Sequence, residues 1–235
     1  MYVNELIFEV TRRCNIACQH CLRGEPQNKD IDNTTIDKTL EGVTSIGTLT
    51  FAGGEPSLAV DRIRYIYEQI KTRGIDLYGF YLVTNGKIAS KDLMSALIDV
   101  YTLVDNTADE FMGGFDISKD QYHIDEGYDT SAADKMYRAL SFYHPNARKG
   151  DIQSLINEGR ARGMGHREAF LEPLVIETDA DDIPQRVEGT VYINALGDVI
   201  PSCDMSFESQ NENKIGNVNE KSLSEIVAAA VSVVA

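Results

Sequence analysis

The feature that most constrains the fold of this chain is a regular alternation of short apolar segments with segments of helical periodicity. NELIFEV (4–10), TLTFAGGEP (48–56) and LYGFYLVTNG (77–86) read as buried strands. Helical patterns separate them at 35–46 and at 60–74, where Ile63, Ile66, Tyr67 and Ile70 share one face and Gly74 marks the end. This alternation predicts a parallel sheet with right-handed crossovers.

The pattern continues into the second half of the chain. We expect a helix at 90–101, a strand at 110–118, a helix at 131–144 and a weaker strand at 151–159. Periodicity is lost after about residue 165, which predicts a boundary there. GTVYINALGDVIPS (189–202) predicts a β-hairpin around Leu196-Gly197-Asp198, and 222–234 predicts a terminal helix with Ser222 as its cap and Glu225 three positions on.

Charge and the N-terminal sequence limit the function classes. The chain of 235 residues carries 37 acidic and 22 basic side chains, a formal net charge of −15, so a phosphate backbone would be repelled. MYVNELIFEV has neither the basic nor the apolar part of a secretory signal, and no apolar run is long enough for a membrane helix. We therefore expect a cytoplasmic protein with no nucleic-acid or membrane partner.

Three of the four cysteines lie within eight positions of TRRCNIACQHCLRG (11–24), directly after the first predicted strand. Thiolates at Cys14, Cys18 and Cys21 can bind three irons of a 4Fe-4S cluster and leave the fourth iron open. A structural zinc ion is the alternative, with Cys203 or His20 as the fourth ligand. Ordinary buried cysteines are a third interpretation.

The segment CNIACQHC resembles the CxxxCxxC motif of the radical S-adenosylmethionine (radical SAM) enzymes, which places three cysteines around a 4Fe-4S cluster. FAGGEPSL resembles the second motif of that family, supplied here by Gly53, Gly54, Glu55 and Pro56, which in the family contacts the methionine amino group of SAM. The resemblance implies an α/β fold with a partial (β/α)6 TIM-like barrel over residues 1–165. It also implies Cys14, Cys18 and Cys21 as metal ligands and a 4Fe-4S cluster and SAM as cofactors.

Weaker matches follow the later strands. LVTNG (82–86) resembles the end of the third strand of the family, with Asn85 directed towards the site. DISKDQYH (116–123) resembles the fourth-strand pattern and offers Ser118 and Asp120 to SAM, and NEGRARG (157–163) offers Arg160 to SAM or substrate. The alternatives are a strand end or turn capped by its own polar side chain and, for Arg160, a solvated arginine.

The segment 191–227 resembles the SPASM or twitch extension of radical SAM enzymes that modify peptides and proteins, with a hairpin, a cysteine and an IGN turn before a last helix. The cysteines that would bind auxiliary clusters are missing. We therefore expect 166–235 to be a small hairpin-plus-helix extension that covers the barrel. Cys203 has three interpretations: a buried vestige, a substrate or partner contact, or a catalytic hydrogen-atom donor, which would imply epimerisation.

The resemblance implies reductive cleavage of SAM to a 5'-deoxyadenosyl radical that abstracts a hydrogen atom from a substrate, with an electron donor such as flavodoxin or ferredoxin. The C-terminal extension favours a peptide or protein substrate, as in the modification of ribosomally made peptides. A nucleotide-like small molecule is the alternative substrate. An inactive binding module stabilised by zinc or an iron–sulfur cluster is the alternative outside the enzyme class.

Overall fold

The computed structural model describes residues 1–107, 112–150, 152–170, 173–181 and 183–231. The strands are β1 (Tyr2–Thr11), β2 (Ser45–Gly53), β3 (Asp76–Leu77), β4 (Gly79–Thr84), β5 (Met112–Ile117), β6 (Lys119–Asp120), β7 (Lys149–Gly150), β8 (Val175–Thr178), β9 (Pro184–Ile193), β10 (Asp198–Ile200) and β11 (Gly216–Asn217). The helices are α1 (Asn33–Thr39), α2 (Val60–Arg73), α3 (Lys91–Asp105), α4 (Gln121–Asp125), α5 (Ser131–Tyr137), α6 (Phe207–Asn213) and α7 (Leu223–Val231), with short 3-10 turns at Pro56–Leu58 and Gly159–Ala161.

The main sheet has the strand order β11-β10-β9-β1-β2-β4-β5, with β3 paired to β2 and β8 paired to β9. Strands β1, β2, β4 and β5 are parallel neighbours in chain order, as the alternating pattern predicts. β9 lies parallel to β1 on its other side, while β8 and β10 run antiparallel to β9. The carboxyl ends of the parallel strands therefore meet along one edge, where α/β sheets usually place their ligands.

The two faces of the sheet differ in what they bury. Leu6 and Phe8 of β1 join the large apolar core together with Ile63, Ile66 and Ile70 of α2, as the helical pattern predicts. Ile7, from the opposite face of β1, packs in a much smaller cluster. The face opposite the helices is therefore left largely to polar side chains and to a cavity.

The α/β class and the open run of parallel strands expected of a partial barrel, β9-β1-β2-β4-β5, are confirmed, and no closed barrel forms in the part of the chain that the structure describes. The predicted strand at 151–159 is wrong, although residue 151 itself lies outside the described residues. Ile156 makes only an isolated bridge with Arg167, and a 3-10 turn begins at Gly159. Gly159 has a φ of +56°, and a Cβ there would lie 2.3 Å from the Leu22 carbonyl oxygen, so this segment packs on the cysteine loop instead of extending the sheet.

The predicted C-terminal hairpin is confirmed, with Ile193 opposite Val199 across a turn at Gly197. The cap of α7 also forms, because the Glu225 amide donates to Ser222 Oγ at 3.2 Å and the Ser222 amide donates to Glu225 Oε2 at 2.9 Å. Residues 232–234 of the predicted helix, and residues 110–111 of the strand predicted at 110–118, lie outside the described residues.

The C-terminal segment joins the sheet of the N-terminal segment, because β9 pairs with β1 from Tyr2 to Phe8. The division of the chain at residue 165 stays a prediction. Among the helices of the described residues, none combines the length and the apolarity that a membrane span requires.

Candidate active site

The cysteine loop leaves the carboxyl end of β1 and is closed at its base by backbone and side-chain bonds. The Arg12 amide donates to the Lys29 carbonyl at 2.8 Å, and the Gln27 amide donates back to the Arg12 carbonyl at 3.0 Å. The Arg13 side chain forms two bonds of 2.7 Å to Asp30. The loop that carries the three thiols is therefore anchored at both ends.

Cys14, Cys18 and Cys21 border a cavity of about 360 Å3 at the carboxyl ends of the parallel strands. The same cavity brings together most of the residues predicted from the motifs: Gly53, Gly54, Glu55, Pro56, Asn85, Ser118 and Arg160. Asp120 borders a second cavity of about 400 Å3, which adjoins the first through His20, Leu22, Ser118, His123 and Arg148. Cys203 is exposed and borders neither cavity.

The Gly-Gly turn contacts the base of the cysteine loop directly. A Cβ at Gly53 would lie 2.1 Å from the Thr11 carbonyl oxygen, and a Cβ at Gly54 would lie 2.3 Å from the Arg13 carbonyl oxygen. The Gly54 amide donates to the Thr11 carbonyl, and the Glu55 amide donates to the Arg13 carbonyl, each at 2.8 Å. The glycines are thus required by the approach of two protein backbones, in addition to any approach of a ligand.

The Glu55 carboxylate joins the ends of β2 and β4. It is 1% exposed and accepts hydrogen bonds from the Ser57 amide at 3.0 Å, Thr84 Oγ1 at 2.6 Å and the Asn85 amide at 2.8 Å. A carboxylate has about four acceptor sites, so these three donors leave at most about one for a ligand ammonium. The main role of Glu55 is therefore to hold the Gly-Gly turn against the end of β4.

Asn85 lies against the cysteine loop. Its Nδ2 donates to Asn15 Oδ1 at 2.7 Å, and its Oδ1 accepts from the Lys87 amide at 2.9 Å. Lys87 Nζ also donates to the Asn15 carbonyl at 2.9 Å. The end of β4 therefore supports the loop between the first and second cysteines.

Ser118 and Asp120 follow β5, as predicted. The Ser118 amide donates to the Thr84 carbonyl at 2.9 Å, and Ser118 borders both cavities. The Asp120 carboxylate accepts from the Tyr122 and His123 amides at 3.1 and 3.2 Å and lies 2.7 Å from His123 Nδ1. Burial acts to raise the pKa of Asp120, but the bonds from His123 outweigh it and leave this pKa below its usual value.

Arg160 and Cys203 differ in their relation to the cavity. The Arg160 amide donates to the Cys21 carbonyl at 2.9 Å, and its guanidinium Nε is buried without a hydrogen-bond partner among the described residues. Cys203 Sγ lies 3.9 Å from Asp204 Oδ1, and Asp204 in turn lies 3.6 Å from Arg167. Arg160 thus borders the cavity, with its Nη1 3.5 Å from the Glu25 carboxylate, whereas Cys203 lies at the surface outside the cavity wall.

The donor set and spacing of the three cysteines fit a cluster better than a single ion. The three sulfur atoms do not all lie within 4.8 Å of one another, whereas a tetrahedral zinc ion holds its thiolates about 3.8 Å apart. In a 4Fe-4S cluster each thiolate binds a different iron, so a wider spacing is suitable. Among the described residues, the group of possible metal ligands whose atoms do all lie within 4.8 Å of one another consists of Cys18, His20 and His123.

The thiols of Cys14 and Cys18 are held in their protonated form when no metal is bound. Burial and the nearby Glu126 carboxylate raise the pKa of Cys18 to about 12, and burial also raises the pKa of Cys14. Metal binding must therefore displace thiol protons.

Sequence reasoning missed Arg148, which borders both cavities. It lies in the segment NARKG (146–150), which resembles no motif, and it reaches the site only because the chain after α5 folds back over β5. No local pattern in the sequence could have identified it.

Comparisons with known proteins were consistent with this arrangement. The family model described as "4Fe-4S single cluster domain" matches residues 6–120. An uncharacterized protein of Methanocaldococcus jannaschii is 32% identical over 69 residues, which is 28% of this chain and 24% of that protein. The matched segment therefore spans about a quarter of the length of that relative.

The fold is similar to that of solved radical SAM enzymes. Native anSMEcpe with bound AdoMet and the Cp18Cys peptide superposes with a TM-score of 0.58 at 13% identity, over 96% of this chain and 80% of that chain. SuiB of Streptococcus suis superposes with a TM-score of 0.51 at 12% identity, over 97% of this chain and 66% of that chain. The 4Fe-4S cluster-domain model therefore covers just under half of the chain, including the cysteine and glycine motifs, and the chain shares the fold of these solved radical SAM enzymes.

Proposed function

We propose that this protein is a radical SAM enzyme that abstracts a hydrogen atom from a peptide or protein substrate. The observation that carries the proposal is that the three cysteines and the Gly-Gly turn lie on the wall of one cavity. The turn is also fixed to the base of the cysteine loop, because the Gly54 and Glu55 amides donate to the Thr11 and Arg13 carbonyls.

When bound, the 4Fe-4S cluster and SAM supply the 5'-deoxyadenosyl radical through reductive cleavage of SAM. The residues of the chain hold and orient these groups. Cys14, Cys18 and Cys21 would provide three thiolates for three of the four irons, and the Gly-Gly turn borders the same cavity. We assign Asn85, Ser118, Asp120 and Arg160 to the binding of SAM or substrate, since each borders one of the two joined cavities.

The cavity wall also contributes apolar surface. Ile16, Leu22, Phe51 and Val83 border it, and they reduce the access of water to a reactive intermediate. The proposed reaction needs an electron donor, such as a reduced flavodoxin or ferredoxin.

A peptide substrate is supported by the structural neighbours, since the two anSMEcpe structures contain the Cp18Cys and Kp18Cys peptides. The hydrogen-donor role of Cys203 stays a prediction. The position of its thiol outside the cavity wall does not add support to that role.

The test of the proposed activity does not require the substrate. We expect the anaerobically reconstituted protein to bind about four iron and four sulfide per chain and to release 5'-deoxyadenosine from SAM when a reductant is added. Replacement of Cys14, Cys18 or Cys21 by alanine should abolish both, because each thiolate binds a different iron. Iron and sulfide analysis and chromatography of the nucleoside products measure the two outcomes.

Cys203→Ala is the matched control, because it removes a thiol that lies outside the cavity wall. It should retain the full iron and sulfide content. A parent protein that binds one zinc ion and no sulfide would show that the cluster assignment is wrong and would favour the binding module.

A further inference from the structure

The second cavity is continuous with the first but has a different composition. It shares Ser118, His20, His123 and Arg148 with the first cavity, and it contains neither the cysteines nor the Gly-Gly turn. Its volume of about 400 Å3 is comparable to the 360 Å3 of the first. It therefore extends the site beyond the part that would hold the cluster and SAM.

Arg148 lies at the junction of the two cavities. It is held by two residues from the face of the sheet opposite the helices. Its Nε and Nη2 donate to the Tyr81 hydroxyl at 3.0 and 2.8 Å, and the Tyr81 hydroxyl donates to Asp116 Oδ2. The Asp116 side chain is 3% exposed, whereas that of Arg148 is 50% exposed. Nη1 of Arg148 takes part in none of these bonds. The Arg148 guanidinium is therefore fixed in position and still has donors for a ligand.

Asp116 is only partly neutralised by this arrangement. Its Oδ1 is buried without a hydrogen bond among the described residues, although His144 Nδ1 lies 3.3 Å away. The buried carboxylate therefore holds Arg148 close to the sheet by charge as well as through Tyr81, since Arg148 Nε lies 3.8 Å from Asp116 Oδ2.

The remaining charges around the second cavity are mainly positive. Lys149 and Arg167 border it together with Arg148, and Asp120 is its single bordering carboxylate among the described residues. Asp120 is already bonded to two backbone amides and to His123, while Arg167 is shared with Asp204 at 3.6 Å. In a chain of net charge −15, such a concentration of cations is a local property of this cavity.

We infer that the second cavity binds an anionic group of the substrate, a carboxylate or a phosphate, and that Arg148 pairs with it. The planar guanidinium matches both anions through two parallel hydrogen bonds. Tyr81 is a positioning residue that fixes the plane of Arg148. The inference rests on the proposed function, because it assigns the first cavity to the cluster and SAM and leaves the second for the substrate.

The experiment measures the binding of two matched pairs of probes to the reconstituted protein with SAM, by anaerobic calorimetry. One pair is a short capped peptide with a single glutamate and the same peptide with glutamine; the other is AMP and adenosine. We expect one anionic probe to bind about ten-fold or more tightly than its neutral twin, and the pair that shows this difference identifies carboxylate or phosphate as the anion. Arg148→Gln should remove the difference, and Tyr81→Phe should reduce it.

Arg73→Gln is the matched control, since Arg73 forms an exposed ion pair with Asp37 at the end of α2. Arg73→Gln should leave the preference for the anionic probe over its neutral twin unchanged, and thermal melting should confirm that all variants are folded.

The inference is overturned if the parent protein shows no preference for either anionic probe, or if Arg148→Gln retains the preference. It is also overturned if Arg148→Gln weakens the binding of SAM as much as that of the probe, because Arg148 would then serve SAM. Release of 5'-deoxyadenosine by the parent protein tests the proposed function separately, so the two failures are distinguishable.

Discussion

At the scale of single residues, the Gly-Gly turn has a structural role that is separate from any contact with SAM. Gly53 and Gly54 let the end of β2 approach the carbonyl groups of Thr11 and Arg13 at the base of the cysteine loop. A side chain at either position would push the loop away, so the motif positions the thiols as well as a ligand.

We predict that Gly54→Ala lowers the iron content of the reconstituted protein and destabilises it by about 1–3 kcal/mol, because the new Cβ would lie 2.3 Å from the Arg13 carbonyl oxygen. Iron analysis and urea unfolding measure the two effects. Gly42→Ala is the control: Gly42 has a φ of +77°, and a Cβ added there would meet no atom of a more distant residue within 4 Å. Its substitution should therefore cost about 1 kcal/mol of backbone strain and leave the iron content unchanged. Equal iron contents in the two variants would contradict the role of Gly54.

At the scale of secondary-structure elements, Asp134 connects α5 to β6 and to the segment that returns over the sheet. Its carboxylate accepts from Lys119 Nζ, from the Tyr143 hydroxyl at 2.6 Å and from Arg138 Nη2 at 2.8 Å. Burial alone would raise the pKa of Asp134, but these bonds outweigh it and lower the pKa to about 2. The bonds stabilise the folded state wherever the carboxyl is ionised.

We predict that Asp134→Asn destabilises the protein by about 1–2 kcal/mol at neutral pH, a value reduced from the full pKa shift because the side chain is partly exposed. The folded-state pKa lies below the unfolded value of about 3.9, so this stabilisation is present above about pH 4 and is lost as the pH falls towards 2. The free energies of unfolding of parent and variant should therefore converge in acid. Asp99→Asn, in a pair whose side chains are both 41% exposed, should change stability by less than about 0.5 kcal/mol. If the free energies of unfolding of the parent protein and Asp134→Asn differed by the same amount from pH 7 to acid, the stabilising role of the ionised Asp134 carboxylate would be contradicted.

At the scale of the whole molecule, the C-terminal segment is bonded directly to the base of the cysteine loop. Gln210 of α6 accepts from Arg12 Nη2 at 2.7 Å and donates to Glu9 Oε2 at 3.0 Å, and Arg12 Nε donates to Glu9 at 2.6 Å. These side chains are at most 2% exposed, and Arg12 also lies over the Phe207 ring. Arg12 precedes Cys14 by two residues, so the C-terminal segment meets the N-terminal one beside the first thiol.

We predict that Gln210→Leu destabilises the protein by about 1–3 kcal/mol, because it removes the acceptor of the buried Arg12 Nη2 and one of the two donors to Glu9 Oε2. The other donor to Glu9 Oε2, the Tyr192 hydroxyl at 2.7 Å, is retained. It should also speed the loss of iron to a chelator, since the start of the cysteine loop is then less restrained. Gln185→Leu is the control, because Gln185 is exposed and its side chain bonds to Asp179 at 3.0 Å, far from the loop. Iron loss as slow as in the control would show that α6 does not restrain the loop.

Local patterns in the sequence determined the elements and the identity of the reactive groups. The apolar spacing of Ile63, Ile66 and Ile70 predicted α2, and the turn at Gly197 predicted the hairpin. The cysteine spacing predicted a set of three thiols suited to a cluster, and all three border the cavity. These features depend on residues close together in the chain, whose periodicity and turn preferences are readable directly. The strand predicted at 151–159 was wrong because Gly159 and its neighbours pack on the distant Leu22 carbonyl, and no local pattern records that contact.

Only the tertiary structure decided which groups meet at the site. The resemblance placed Glu55 in the motif that contacts the methionine amino group of SAM, whereas the fold surrounds its carboxylate with donors from Ser57, Thr84 and Asn85. Arg148, from an undistinguished loop, becomes part of the cavity because Tyr81 and Asp116 on two separate strands hold it there. Such contacts depend on the order of the strands and on the path of the segments that connect them. They join residues far apart in the sequence, so no local periodicity predicts them.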